Sequence, residues 1–126
     1  MRLGLIMVIA SLGLSVAFAG TADHGNRWQA MLEASRNYVI VASACDDYVG
    51  AFEYQRARAL AENLLRARGA SSATAVNEVQ RMLQNFRFST PEGGLSTAYC
   101  VAEIARARRI AIDAARRFRA GALRSQ

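Results

Sequence analysis

Two cysteines constrain this chain more than any other feature, because each lies on the apolar stripe of a long helical pattern. Trp28, Met31, Ser35, Tyr38, Ala42, Cys45, Val49 and Phe52 recur at alternating intervals of three and four, the spacing that lines one side of an α-helix. Cys100, Ile104, Ala107, Ala111, Ala114 and Phe118 repeat in the same manner. With only these two thiols in the chain, one intramolecular pairing exists, and forming it would clamp the first helix against the last. Such a bridge closes a loop of about 55 residues and contributes on the order of 4 kcal/mol by the chain-entropy argument. The spacing is unlike Cys-x-x-Cys, so a structural bridge is expected and a redox catalyst is not.

The N-terminus agrees with an oxidising destination. Met1 and Arg2 precede an apolar run from Leu3 to Phe18, which closes on Ala17-Phe18-Ala19. A basic start, a greasy middle and a small-x-small ending are the parts of a secretory signal peptide. The run falls short of the roughly 20 residues a membrane-spanning helix needs. The expectation is therefore a signal peptide over residues 1–19 and one periplasmic or secreted helical domain over residues 20–126. Whether the leader is cut or kept as an anchor stays open. No other segment is apolar enough to cross a bilayer, so the mature form is expected not to be membrane-embedded.

Between the two cysteine helices the pattern predicts two more. Ala57, Leu60, Ala61, Leu64 and Leu65 form the apolar side of a segment from about Phe52 to Arg68, with Gly69 as its stop. A third helix of about three turns turns Val76, Val79, Leu83 and Phe86 inward. Gly50 either ends the first helix or bends it, and Asn26 is a plausible cap for its start. The last helix is expected from about Leu95 to Arg119, stopping near Gly121. No stretch alternates as a strand would. The fold class expected is all-α: a small four-helix bundle with one disulfide.

All sixteen basic residues are arginine, and removing Arg2 with the leader leaves fifteen against ten carboxylates. Arginine suits bidentate contacts to carboxylate or phosphate, but an arginine- and alanine-rich composition is also what a GC-rich genome yields. Nucleic acid is not expected as a partner, because the arginines are not interleaved with aromatics that could stack on bases. On the last helix Arg106, Arg108, Arg109, Arg116, Arg117 and Arg119 all project away from the apolar stripe, as a solvated face does. Asp113 sits four residues from both Arg109 and Arg117, a spacing that favours surface ion pairs.

Catalytic groupings are missing from the pattern. His24 is the sole histidine and lies in the leader region, so no imidazole dyad can be assembled. Bridged cysteines supply neither a nucleophile nor zinc ligands. Asp46 and Asp47 are neighbours and point about 100° apart on a helix, and Glu53, Glu62, Glu78 and Glu103 are scattered. No phosphate loop or dinucleotide fingerprint is present. No enzyme, cofactor or metal site is expected.

Binding remains, and the candidate surface is the irregular stretch from Phe86 to Leu95. It holds the only proline, Pro91, with Gly93 and Gly94. Arg87 and Phe88 are residue types that interfaces favour, and Ser89, Thr90 and Glu92 can hydrogen-bond across a contact. Arg87, Phe88, Ser89, Thr90, Glu92, Gly93 and Gly94 are thus the predicted partner-binding residues. The partner is expected to be a protein, and a homodimer stays open.

Two segments carry a resemblance to a known family. Arg36-Asn37-Tyr38 through Ala42-Ser43-Ala44-Cys45 resembles the first cysteine helix of the type VI secretion amidase immunity proteins. Phe88-Ser89-Thr90-Pro91-Glu92-Gly93-Gly94-Leu95, leading into Tyr99-Cys100-Val101, is similar to their loop, leucine and second cysteine helix. The resemblance implies a small periplasmic helical inhibitor that neutralises a peptidoglycan amidase by putting a protruding loop into its active site. Ser89 to Gly94 would be that loop. The chain departs from the family after Cys100, where Val101-Ala102-Glu103-Ile104 replaces an acidic and aromatic stretch. Cys45-Asp46-Asp47-Tyr48 is similar instead to periplasmic acid-stress chaperones, which implies opening at low pH. An accessory subunit of an envelope complex is a third reading.

Overall fold

The structure is a computed structural model, described over residues 25–124. The expected signal peptide and His24 lie outside the described residues. Within them the chain is all-helical, with five helices and no strand. α1 covers residues 25–44, α2 Asp46–Val49, α3 Ala51–Ala67, α4 Ser72–Asn85 and α5 Thr97–Arg124.

The fifth helix comes from a break where one continuous helix, bent or ended at Gly50, was expected. Cys45 interrupts α1, and its carbonyl then accepts from the N–H groups of both Tyr48 and Val49. The single turn that follows is α2. Gly50 stops it outright, at φ 89° and ψ 168°, a conformation that any Cβ disfavours strongly. The chain therefore reverses here instead of bending. Phe52, expected on the first helical stripe, opens α3 and is 67% exposed.

α3 ends in a Schellman arrangement. The Gly69 N–H donates to the Arg66 carbonyl and the Ala70 N–H to that of Leu65, which satisfies two of the carbonyls left open by the helix end. Ser71 then caps α4 by accepting from the Thr74 N–H at 3.1 Å. α3 and α4 pack together as a hairpin. The inner side of α4 is Ala75, Val79 and Met82. Val76 and Leu83 are half-buried and Phe86 lies beyond the helix end. The expected face was thus rotated by about one residue.

The register follows from a few contacts. Cys45 and Cys100 form a disulfide with their Cα atoms 5.6 Å apart. At the other end of the same two helices the Trp28 and Phe118 rings are 5.7 Å apart. α1 and α5 are therefore antiparallel, and after the Gly50 reversal α3 runs alongside α5 in the same direction. The main core joins Tyr38, Val39, Val41, Ala42 and Cys45 of the first segment to Ala57, Ala61, Val79, Cys100, Ile104, Ala107 and Ala111. A second cluster, Met31, Leu64 and Ala115, closes the tryptophan end.

Val39 and Val41 fall outside the three-four stripe read from the sequence, yet both are buried. α1 is the central helix, with neighbours on more than one side, so its buried arc is wider than a single seam. The many buried alanines let helix axes approach closely, because interaxial distance is set by the side chains at the contact. On α5, Ala115 is buried and Ala114 only half-buried. The helix does not stop near Gly121 but passes through it to Arg124. A Cβ at Gly121 would meet only the flexible Arg27 side chain, and the glycine does not terminate the helix. At the other terminus, Asn26 lies inside α1, which is already under way at residue 25.

Candidate protein-binding site

Residues 86–96 join α4 to α5, and both sides of this segment are anchored. Phe88 and Leu95 are half-buried and pack on the main core. Between them Ser89, Thr90, Glu92, Gly93 and Gly94 are exposed, and Pro91 is half-buried. The tip is a tight turn in which the Gly94 N–H donates to the Pro91 carbonyl at 3.1 Å. Gly93 occupies its third position at φ 86°, the place where a type II turn needs a positive φ. Ser96 closes the segment by accepting from the Tyr99 N–H at 3.1 Å, which starts α5. One residue after Tyr99 comes Cys100, covalently tied to the end of α1.

Beside the loop lies a groove of about 430 Å³ between α1, the 86–89 segment and the first turns of α5. Arg36, Phe86, Arg87, Ser89, Tyr99 and Glu103 are among its lining residues. The Arg36 guanidinium sits 3.9 Å from the centre of the exposed Phe86 ring, a cation–π contact that holds an aromatic at the surface. Glu103 is engaged by Arg106 of the next turn at 3.5 Å. The walls carry both signs of charge.

Of the seven predicted partner-binding residues, Arg87, Phe88 and Ser89 line this groove. Phe88 acts mainly as the half-buried anchor of the loop. Thr90, Glu92, Gly93 and Gly94 form the exposed tip. Arg36 and Phe86 were not singled out as a pair in the sequence, since they lie fifty residues apart and only the packing of α1 against the end of α4 joins them.

A second grouping was missed altogether. Glu53, read as one of several scattered carboxylates, accepts from the Tyr38 hydroxyl at 2.8 Å and from Arg108 at 2.9 Å. Tyr38 is only 2% exposed. Burial, and then the hydrogen bond to Glu53 and the charge of that carboxylate, push its phenol up to about 12 against the opposing pull of Arg56 and Arg108. Arg108, assigned from the sequence to the solvated arginine face, instead ties α5 to α3. A signal was available. Glu53 lies eight residues beyond Cys45 and Arg108 eight beyond Cys100, so once the cysteines pair and the segments run parallel, opposite charges meet.

The rest of that face behaves as a surface, with Arg106, Arg109, Arg116, Arg117 and Arg119 exposed. Asp113 contacts Arg116 at 4.0 Å and not the predicted Arg109 or Arg117. Among the described residues no helix is long and apolar enough to cross a membrane, and no three His, Cys, Asp or Glu side chains converge as metal ligands would. No protein-family model matches this chain, and comparison with curated proteins and with solved structures finds no match either.

Proposed function

We propose that this is a non-catalytic, exported binding domain whose Ser89–Gly94 loop inserts into a cleft of a partner protein. The observation that carries the reading is the way the loop is held. Phe88 and Leu95 pin its two ends to the core, a hydrogen-bonded turn shapes its tip, and a disulfide lies one helical turn beyond it. A loop already ordered before contact loses little conformational entropy on binding, which strengthens association. The exposed tip offers hydroxyls, a carboxylate and bare glycine backbone, suited to hydrogen-bonding inside a polar cleft. The disulfide is compatible with an oxidising compartment, in keeping with the periplasm.

The resemblance around the two cysteines makes a peptidoglycan amidase of the type VI secretion class the leading partner, and inhibition of its active site the leading role. The acid-stress chaperone alternative receives less support. Only the Glu53–Arg108 and Tyr38–Glu53 contacts, among the ion pairs and hydrogen bonds of the carboxylates described, join two helices. The pairs Arg58–Glu62, Arg81–Glu78, Arg106–Glu103 and Arg116–Asp113 lie within single helices, so their loss opens no interface.

The test is an amidase assay on purified peptidoglycan with an effector of that class, titrated with the wild-type domain and with a variant whose residues 89–94 are scrambled. Inhibition by the wild type and none by the variant, with equal helicity in both, is the expected result. Equal inhibition by both would remove the loop from the mechanism, and no inhibition by either would remove the amidase.

A further inference from the structure

The end of the bundle away from the cystine holds a pocket of about 190 Å³ between α1, α3 and α5. Trp28, Leu60, Leu64 and Phe118 are among its apolar lining residues, and Arg68 and Arg119 are the charged ones; we take the arginines as its rim. The Trp28 and Phe118 rings are tilted by 58° to each other and both line the pocket. Ala67, also in the lining, is too short to fill the gap.

The charge of the rim has one sign. Arg68 lies 4.5 Å over the Trp28 ring. The Leu65 and Arg66 carbonyls of α3 are engaged by the Ala70 and Gly69 N–H groups. Arg119 is exposed on α5, and no carboxylate lines the pocket. An apolar slot with a few placed polar groups at its mouth is the general form of a small-ligand site. Guanidinium pairs recognise carboxylates through strong charge-assisted hydrogen bonds.

The geometry points to a binding site for a free, linear carboxylate with a medium-length alkyl tail, the tail between Trp28, Leu64 and Phe118 and the head between Arg68 and Arg119. Taking roughly 30 Å³ for each water-sized group, the slot accommodates about six methylene-sized groups, which makes octanoate a fitting probe. This site is separate from the Ser89–Gly94 loop and stands or falls without it.

Trp28 is the single tryptophan of the chain, so its emission reports the pocket directly. The mature protein is titrated with octanoate, octan-1-ol and octylammonium below their micellar concentrations, and with vesicles of anionic phospholipid. Octanoate is expected to change Trp28 emission saturably, octan-1-ol to bind at least tenfold more weakly, and octylammonium and the vesicles to leave the emission unchanged. Arg68→Gln and Arg119→Gln are each expected to weaken octanoate about fivefold or more and to leave the octan-1-ol affinity unaltered. Equal binding of acid and alcohol would overturn the assignment of the arginines. A response to vesicles alone would make the pocket a membrane contact, and a flat octanoate titration in protein of unchanged helicity would overturn the site.

Discussion

At the cystine end of the bundle, α1 and α5 are joined by a covalent bond, and the Tyr38–Glu53–Arg108 chain of hydrogen bonds adds α3 to the same junction. At the tryptophan end the same three helices meet through Trp28, Met31, Leu64, Ala115 and Phe118. The first end is directional: sulfur and charge fix distance and register. The second rests on apolar contact, which is roughly proportional to area and indifferent to direction. The contrast explains where each candidate site falls. A loop that must keep its shape springs from the directional end, and a slot able to adjust to a ligand lies at the other.

Removing the covalent tie is the largest test of that contrast. The Cys45→Ala, Cys100→Ala double variant is expected to lose about 4 kcal/mol of unfolding free energy in urea titrations. Its hydrogen exchange should rise first around residues 86–100, close to the cystine. If the tryptophan end loosens before the loop does, the directional end is not what holds the loop.

Met31→Ala probes the opposite end. Met31 is 1% exposed, and truncating a buried methionine to alanine costs about 3 kcal/mol where the site cannot collapse. A much smaller loss, with altered Trp28 emission, would show that the tryptophan end repacks around the deletion.

Gly50→Ala is expected to cost about 2 kcal/mol, because its conformation is one that residues with a Cβ rarely adopt. The surrounding space is open, so the loss arises from backbone strain and not from a clash. A neutral outcome in thermal unfolding would mean that the α2–α3 reversal tolerates another geometry.

Tyr38→Phe is smaller at neutral pH, about 1 kcal/mol for one hydrogen bond. Its larger signature is alkaline. The folded-state phenol titrates at about 12 against an ordinary 10.0, so the unfolded chain gives up that proton first. The associated stability is whole below pH 10 and is lost as pH rises towards 12. Urea midpoints measured from pH 9 to 12 should fall less steeply in the variant than in the wild type. Arg116→Ala, which removes an exposed pair at 4.0 Å, should change stability by less than about 0.5 kcal/mol.

Much of the fold was legible in the chain. The three-four spacing marked the helices, and Gly69 marked the end of α3. Position on two stripes anticipated the Cys45–Cys100 pair. The candidate loop was legible as well, through Pro91, Gly93 and Gly94. Missed were features that depend on two distant segments meeting. Phe52 was read as core because the spacing continues through Gly50, where the backbone reverses. Arg108 was read as surface because a helical projection shows which way a residue faces but not what stands opposite.

By itself, the order of residues determined that this protein is helical, where α3 ends, and which thiols can pair. Those are local matters, governed by periodicity, capping and backbone freedom within a few residues. The tertiary structure alone decided the width of the buried face of α1, the meeting of Glu53 with Arg108 and the slot beneath Trp28. Each depends on the separation and direction of helices far apart in the chain, which is set by how all the side chains pack at once.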